Sequence, residues 1–190
     1  MNPRHNAPAS LALVQDLVNT WFGHLSGGAD DGLATRADLA RFCREHGVDV
    51  AEDDVTDDEV ALARVVREGV RAALARHDDA GREPVDGEAL ARLAAVAPDL
   101  PLHVGLAGDP AALVPVGGGV RGLLADLLGR AVTAAGDWPR LKVCRHPRCR
   151  AAFFDRSRNG SGVWCSMAVC GSDTKKRAFV ERRRARSQAG

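Results

Sequence analysis

Four of the five cysteines in this 190-residue chain limit its fold more than any other feature. Cys144, Cys149, Cys165 and Cys170 read C-x4-C-x15-C-x4-C. Two close pairs joined by a short loop suit a tetrahedral Zn2+ site, because each pair comes from a tight knuckle and the loop brings the knuckles together. Thiolate sulfur is soft and favours zinc. Four cysteines leave no open position for water or substrate, so the pattern implies one structural ion per chain. His146, inside the first knuckle, is an alternative ligand; with four thiolates present it reads as a surface residue or one just behind the ligands. Two disulfides are the competing reading. Residues 1–10 are polar and show no leader pattern, which favours reduced thiols and a cytoplasmic setting. No apolar run is long enough to cross a bilayer, so no membrane partner is expected.

A net charge of +1 hides a strong asymmetry. Residues 1–139 hold 12 Lys/Arg against 22 Asp/Glu, whereas residues 140–190 hold 14 against 3. An acidic part joined to a very basic one suggests a polyanion-binding module on a body that avoids polyanions; mutual docking of the two halves is the alternative. The basic residues cluster around and after the cysteines. A helix is expected over 173–186, with Phe179 and Val180 anchoring it to the cysteine module. Arg156, Arg158, Lys175, Lys176 and Arg177 are the first candidates for nucleic-acid contact, followed by Arg182, Arg183 and Arg184. Asp155, Ser157 and Asn159 are turn-makers in the loop between the knuckles.

Helical periodicity marks the rest. A helix over 10–25, capped by Ser10 and stopped by Gly27-Gly28, carries Leu11, Val14, Leu17, Val18, Trp21 and Leu25 on one side. Asp16, Asn19 and Thr20 share another of its faces, as a hydrogen-bonded lock onto neighbouring elements or as the wall of a ligand pocket. Thr35 with Asp38, and Thr56 with Glu59, are capping boxes that open helices over 36–46 and 57–76. Arg64, Arg67 and Arg71 line one side of the second of these, as a solvated or salt-bridged face or an anion site. Asp86 caps a helix over 87–97. Two short strands, 101–107 and 111–116, flank a turn at Gly108-Asp109-Pro110, and a helix over 120–135 carries Leu123, Leu124, Leu127, Leu128 and Val132. Cys43 reads as a small core residue. Residues 137–139 mark a boundary, and strands are expected at 140–143 and, as a hairpin, at 151–154 and 163–164. Phe153 and Trp164 would form a small core beneath the metal. The sequence offers no nucleophile–base pair and no open metal site, so no catalytic residue is assigned.

The stretch from Cys144 to Arg177 resembles the CGNR zinc finger. Phe153, Asp155, Ser157, Arg158, Asn159, Trp164, Cys165, Ser166, Met167, Cys170 and Gly171 match the family's pattern. Ser172-Asp173 stands where that family has Asn-Arg. The segment L-V-Q-D-L-V-N-T, residues 13–20, resembles the opening of the ABATE domain, the usual companion of this finger and a stress-linked regulatory module. The resemblance implies an α+β chain with a mainly helical N-terminal domain and a small antiparallel hairpin (1–136). A C-terminal treble-clef-like or ribbon-like zinc finger with a basic helix follows (137–190). It implies a zinc-dependent DNA-binding transcriptional regulator whose N-terminal domain senses a small-molecule effector or mediates homodimerisation. The alternative is a zinc-stabilised protein-interaction or RNA-binding adaptor. On this reading Asp173 repels phosphate, and Asp173→Arg strengthens DNA binding.

Overall fold

The computed structural model describes residues 6–21, 31–77, 85–106 and 111–188. Helices α2 (Arg36–Glu45) and α3 (Asp57–Ala75) begin on reciprocal caps. Thr35 accepts from the Asp38 amide while Asp38 accepts from the Thr35 amide, and Thr56 and Glu59 repeat the pattern. These bonds satisfy amides that the first turn of a helix leaves without intrahelical partners. α2 ends before Gly47, whose φ of +80° suits glycine. Asp86 caps α4 (Gly87–Val96) by accepting from the Ala89 amide at 2.9 Å. Helix α1 departs from expectation: it spans Ala9–Asn19, with Pro8 at its N-cap and Ser10 inside the helix. The expected continuation through Leu25 to Gly27-Gly28 lies outside the described residues, as does the Gly108-Asp109-Pro110 turn.

Leu11, Val14, Leu17 and Val18 of α1 meet Val60, Ala63, Val66, Val70 and Leu74 of α3, with Leu39, Phe42 and Cys43 from α2. Burial raises the Cys43 thiol to about 11, as befits an inert core residue. Strands β1 (Leu102–Gly105) and β2 (Ala112–Pro115) pair antiparallel, with Leu102 opposite Pro115. They pack on α5 (Gly119–Thr133), which adds Leu123, Leu124 and Leu127 to the core. Val132, assigned to the same stripe, is 72% exposed, because it points to the side of the face that Leu124, Leu127, Ala131 and Ala134 turn to the core.

The cysteine module does not stand apart from this body. Trp138–Arg140 form a short 3-10 turn whose Trp138 packs against the main core. Strand β3 (Leu141–Val143) pairs with β4 (Ala152–Phe154), with Leu141 opposite Phe154. Residues 163–164, expected to pair with 151–154, form no strand, because β4 has β3 on one edge and the Asn19 carboxamide on the other. Successive side chains of a strand point to opposite faces. Ala152 and Phe154 therefore join Leu141 in the main core, while Phe153 lies among the cysteines. The body and the cysteine module each have a cluster of buried side chains, and this double-sided strand serves both.

Polar groups complete the junction. The Asn19 carboxamide meets the outer edge of β4 twice: Ala152 N–H donates to Oδ1 at 2.8 Å, and Nδ2 donates to the Ala152 carbonyl at 3.0 Å. Gln15 donates to the same carbonyl at 3.1 Å. Arg71, 2% exposed, donates to the carbonyls of Val18, Trp21 and Arg150. Arg150 has a φ of +53°, uncommon for a side-chain-bearing residue, and its carbonyl is thus held at the turn that follows the first knuckle. Arg67 forms a two-pronged pair with Asp31, Glu68 bridges Arg67 and Arg71, and Arg64 donates to Leu33 and Ala34. The arginine row of α3 is an internal scaffold. Asn19→Ala strips the Ala152 N–H of its side-chain acceptor and leaves the carbonyl to Gln15 alone, so we expect a loss of about 1–3 kcal/mol, read from the urea midpoint of the whole chain.

Candidate metal centre and basic helix

The four sulfur atoms of Cys144, Cys149, Cys165 and Cys170 lie within 4.8 Å of one another. Cys149 and Cys165 are 3.5 Å apart, and Cys165 and Cys170 are 3.6 Å apart. A disulfide would bring two sulfurs to about 2.0 Å, and all four cysteines are free thiols. Zn–S bonds of about 2.3 Å at tetrahedral angles place sulfurs about 3.8 Å apart, so the spacing fits zinc. Charge gives the same answer. Hydrogen bonds from the neighbouring thiols of Cys144 and Cys165 push Cys149 down, whereas those to Cys144 and Cys149 push Cys165 up. Burial pushes Cys170 up. Crowded thiols cannot all ionise by themselves; a bound dication allows it. The cofactor is one zinc ion per chain, held by these four cysteines.

Each knuckle is built locally. In the first, the Cys144 amide donates to Ala151 and the Cys149 amide to His146. In the second, a π-helical turn at Met167–Gly171 carries Cys170, whose amide donates to the Ser166 carbonyl. A Cβ on Gly171 would lie 2.4 Å from Met167 Sδ and 3.2 Å from Trp164 Cδ1, so glycine is what lets these side chains pack behind the ligands. Phe153 is buried beside the sulfurs and Trp164 packs against them half-buried, as the sequence suggested.

The loop between the knuckles is organised by Asp155. Its carboxylate accepts from the amides of Ser157 (2.9 Å) and Gly162 (2.7 Å) and from Lys142 Nζ (3.1 Å). Burial opposes its charge, but the hydrogen bonds from Ser157, Lys142 and Gly162 outweigh burial and lower it from 3.8 to about 2. Lys142 also donates to the Gly160 carbonyl, and Arg140 to those of Asp155 and Ser157.

Helix α6 (Ser172–Gln188) leaves the second knuckle directly. Its first turn is latched to the first knuckle. His146 is fully buried, not at the surface; its Nδ1 accepts from the Arg148 amide at 3.3 Å, so Nε2 carries the proton and donates to Asp173 at 2.8 Å. Arg177 and Arg148 also reach Asp173, at 2.8 and 3.7 Å. The His146 hydrogen bond and the charge of Arg177 hold the Asp173 carboxyl below its usual range. The residue expected to face phosphate is thus engaged by the first knuckle and by Arg177, with its side chain 32% exposed. Beyond this turn α6 stands clear: Lys175, Lys176, Arg177, Arg182, Arg183 and Arg184 are all exposed. Phe179 and Val180 are 54% and 38% exposed, so neither anchors the helix as expected; the latch at Asp173 and the Thr174 hydroxyl bond to the Cys170 carbonyl do so instead. Arg156 and Arg158 are exposed on the loop, and Arg156 donates to the Asn6 carbonyl and lies over the Phe154 ring.

The polar trio of α1 divides. Asn19 serves β4, and Thr20 accepts from Arg67 and donates to the Leu17 carbonyl. Asp16 is 44% exposed, 3.9 Å from His46; burial raises its carboxyl, partly offset by His46. Sequence reasoning missed the His146–Asp173 latch, and it read Asn19 as a lock onto neighbouring elements without finding its partner, Ala152. A histidine between two ligands was the only local signal for the first, and the second joins residues 133 positions apart.

A closed four-cysteine centre that fixes a cationic helix to a helical body defines a structural zinc-finger protein. The chain belongs to the ABATE family, described as a putative stress-induced transcription regulator, which matches residues 11–141. The CGNR zinc finger matches residues 140–183. No curated protein matches the chain. Family and metal centre together fit a zinc-binding regulator.

Three outcomes are expected here. Elemental analysis should give one zinc per chain. Cys165→Ser should lose the metal and also lower the urea midpoint reported by Trp138 in the body, since β4 belongs to both cores. Asp155, its carboxyl depressed, contributes stability that is complete above 3.8 and disappears as pH falls through about 2. At pH 7 the contribution is present in full, and Asp155→Asn should cost the zinc-loaded protein about 2 kcal/mol in urea unfolding.

Proposed function

We propose that this chain is a zinc-dependent DNA-binding transcriptional regulator acting in the cytoplasm. Residues 137–190 make the DNA contacts, and residues 1–136 act as a sensor or dimerisation module. The observation that carries the reading is α6: a helix rooted in the metal centre, with its lysines and arginines exposed along its length. Cations on a rigid helix neutralise phosphates and release counterions, which supplies affinity; base contacts are needed for sequence preference. Arg156 and Arg158 extend the cationic surface from the loop. Asp173 draws Arg177 toward the knuckle, so Lys175, Lys176 and the Arg182–Arg184 group carry most of the phosphate contact. With Asn19 and Thr20 committed to internal partners, an effector would reach α1 through the more exposed Asp16.

A protein-interaction or RNA-binding adaptor is the second reading. It is favoured by the exposed apolar side chains of Met167 and Val169 beside the metal centre.

A salt titration decides between them. On duplex DNA, log affinity should fall with log salt by about 0.9 per phosphate contact. Replacing Arg182, Arg183 and Arg184 by alanine should reduce that slope while leaving the zinc content at one. Binding that is absent on DNA and present on RNA would establish the adaptor reading. Because Asp173 is tied to His146, Asp173→Arg is expected to weaken DNA binding by loosening α6, reversing the expectation from sequence.

A further inference from the structure

The register of α6 separates its side chains into two faces. Residues three, four, seven and eight positions apart share one side of a helix. Asp173, Arg177, Val180 and Arg184 lie at i, i+4, i+7 and i+11, and this side is turned to the first knuckle by the His146–Asp173 bond. Lys175, Phe179, Arg182, Arg183 and Arg186 lie at i, i+4, i+7, i+8 and i+11 on the opposite side, and all five are exposed. Glu181 falls between the two. The outer face is therefore free of carboxylates, and at its middle is a phenylalanine 54% open to solvent. The Arg183 guanidinium lies 5.9 Å from the centre of that ring, so a cation and an aromatic surface are presented as one unit.

An exposed phenylalanine among four cations is poorly suited to a protein core or an apolar groove, where those cations would have to be desolvated. It suits a partner that is polyanionic at its edges and apolar within. Duplex DNA is such a partner, and its major groove, about 12 Å wide, admits a helix. A 17-residue helix is about 25 Å long, enough to cross the groove and meet phosphates on both walls. The apolar group on the groove floor is the thymine methyl, which takes contacts from aromatic and aliphatic side chains.

Resting on the DNA-binding reading above, we infer that the Lys175, Phe179, Arg182, Arg183 and Arg186 face of α6 enters the major groove, with Phe179 packing against thymine methyl groups. The cations position the helix and Phe179 contributes base preference. The latch at Asp173 decides which face is offered.

The test uses the full zinc-loaded chain and two pools of random 20-base-pair duplexes, one with thymine and one with deoxyuracil throughout. Wild type should bind the thymine pool about fourfold more tightly, the worth of one buried methyl group. Phe179→Ala, at an exposed position, should bind both pools equally with an unchanged salt slope, and Phe179→Leu should keep part of the difference. Salt-sensitive binding by wild type with no difference between the pools would overturn this inference and leave DNA binding standing. So would a Phe179→Ala variant that still prefers thymine, or one whose only change is lost self-association in sedimentation, which would assign the face to a second copy of the chain. No salt-sensitive binding to either pool would overturn both readings.

Discussion

The structure depends on how the edge of one three-residue strand is satisfied. β4 has a partner on one side only, and the backbone of Ala152 points away from it into the body. A buried N–H and C=O without partners would cost several kcal/mol. Asn19 offers one donor and one acceptor at the spacing of a peptide group, so a side chain on α1 takes the place of a third strand. With that edge closed, Ala152 and Phe154 can complete the helical core while Phe153 closes the cysteine cluster. Arg71 reinforces the same junction from α3 through the Arg150 carbonyl.

The metal centre inherits its position from this junction. Cys144 follows β3 and Cys149 precedes β4, so the first knuckle is the turn of a hairpin whose strands are already embedded in the body. The second knuckle has no such support. It relies on the sulfur ligands, the Ser166 turn and the packing of Trp164 and Met167 around Gly171. Zinc therefore contributes most to the second knuckle and to α6, whose direction is set by a metal-bound knuckle at one end and the His146–Asp173 bond across it. A small module that buries little apolar surface relies on such staples.

What the sequence disclosed was local. The capping boxes at Thr35 and Thr56, the Asp86 cap and the four-cysteine spacing each involve residues close in sequence, and each is found in the structure. The partners of Asn19 and His146 lie far along the chain or across a knuckle, and composition carries no trace of them. The expected pairing of 151–154 with 163–164 failed for a similar reason: alternation marks a strand but does not choose its neighbour. Phe179 and Val180 misled because an apolar pair on a helix is ordinarily buried, and among the described residues α6 finds nothing that buries them. Asp173 was judged by its charge; its role was set by the histidine that faces it.

The double-sided strand also limits how the finger can be moved between proteins. Residues 140–183 have the appearance of a cassette that recombination or an engineer could transplant. Yet their hairpin arrives with one face apolar and one edge unpaired, and both are covered by the host. A new host must present an apolar floor for Leu141, Ala152 and Phe154, and a carboxamide or a strand edge for Ala152. Finger and body would thus be inherited as a matched pair, each altering the other's tolerance to substitution at the seam.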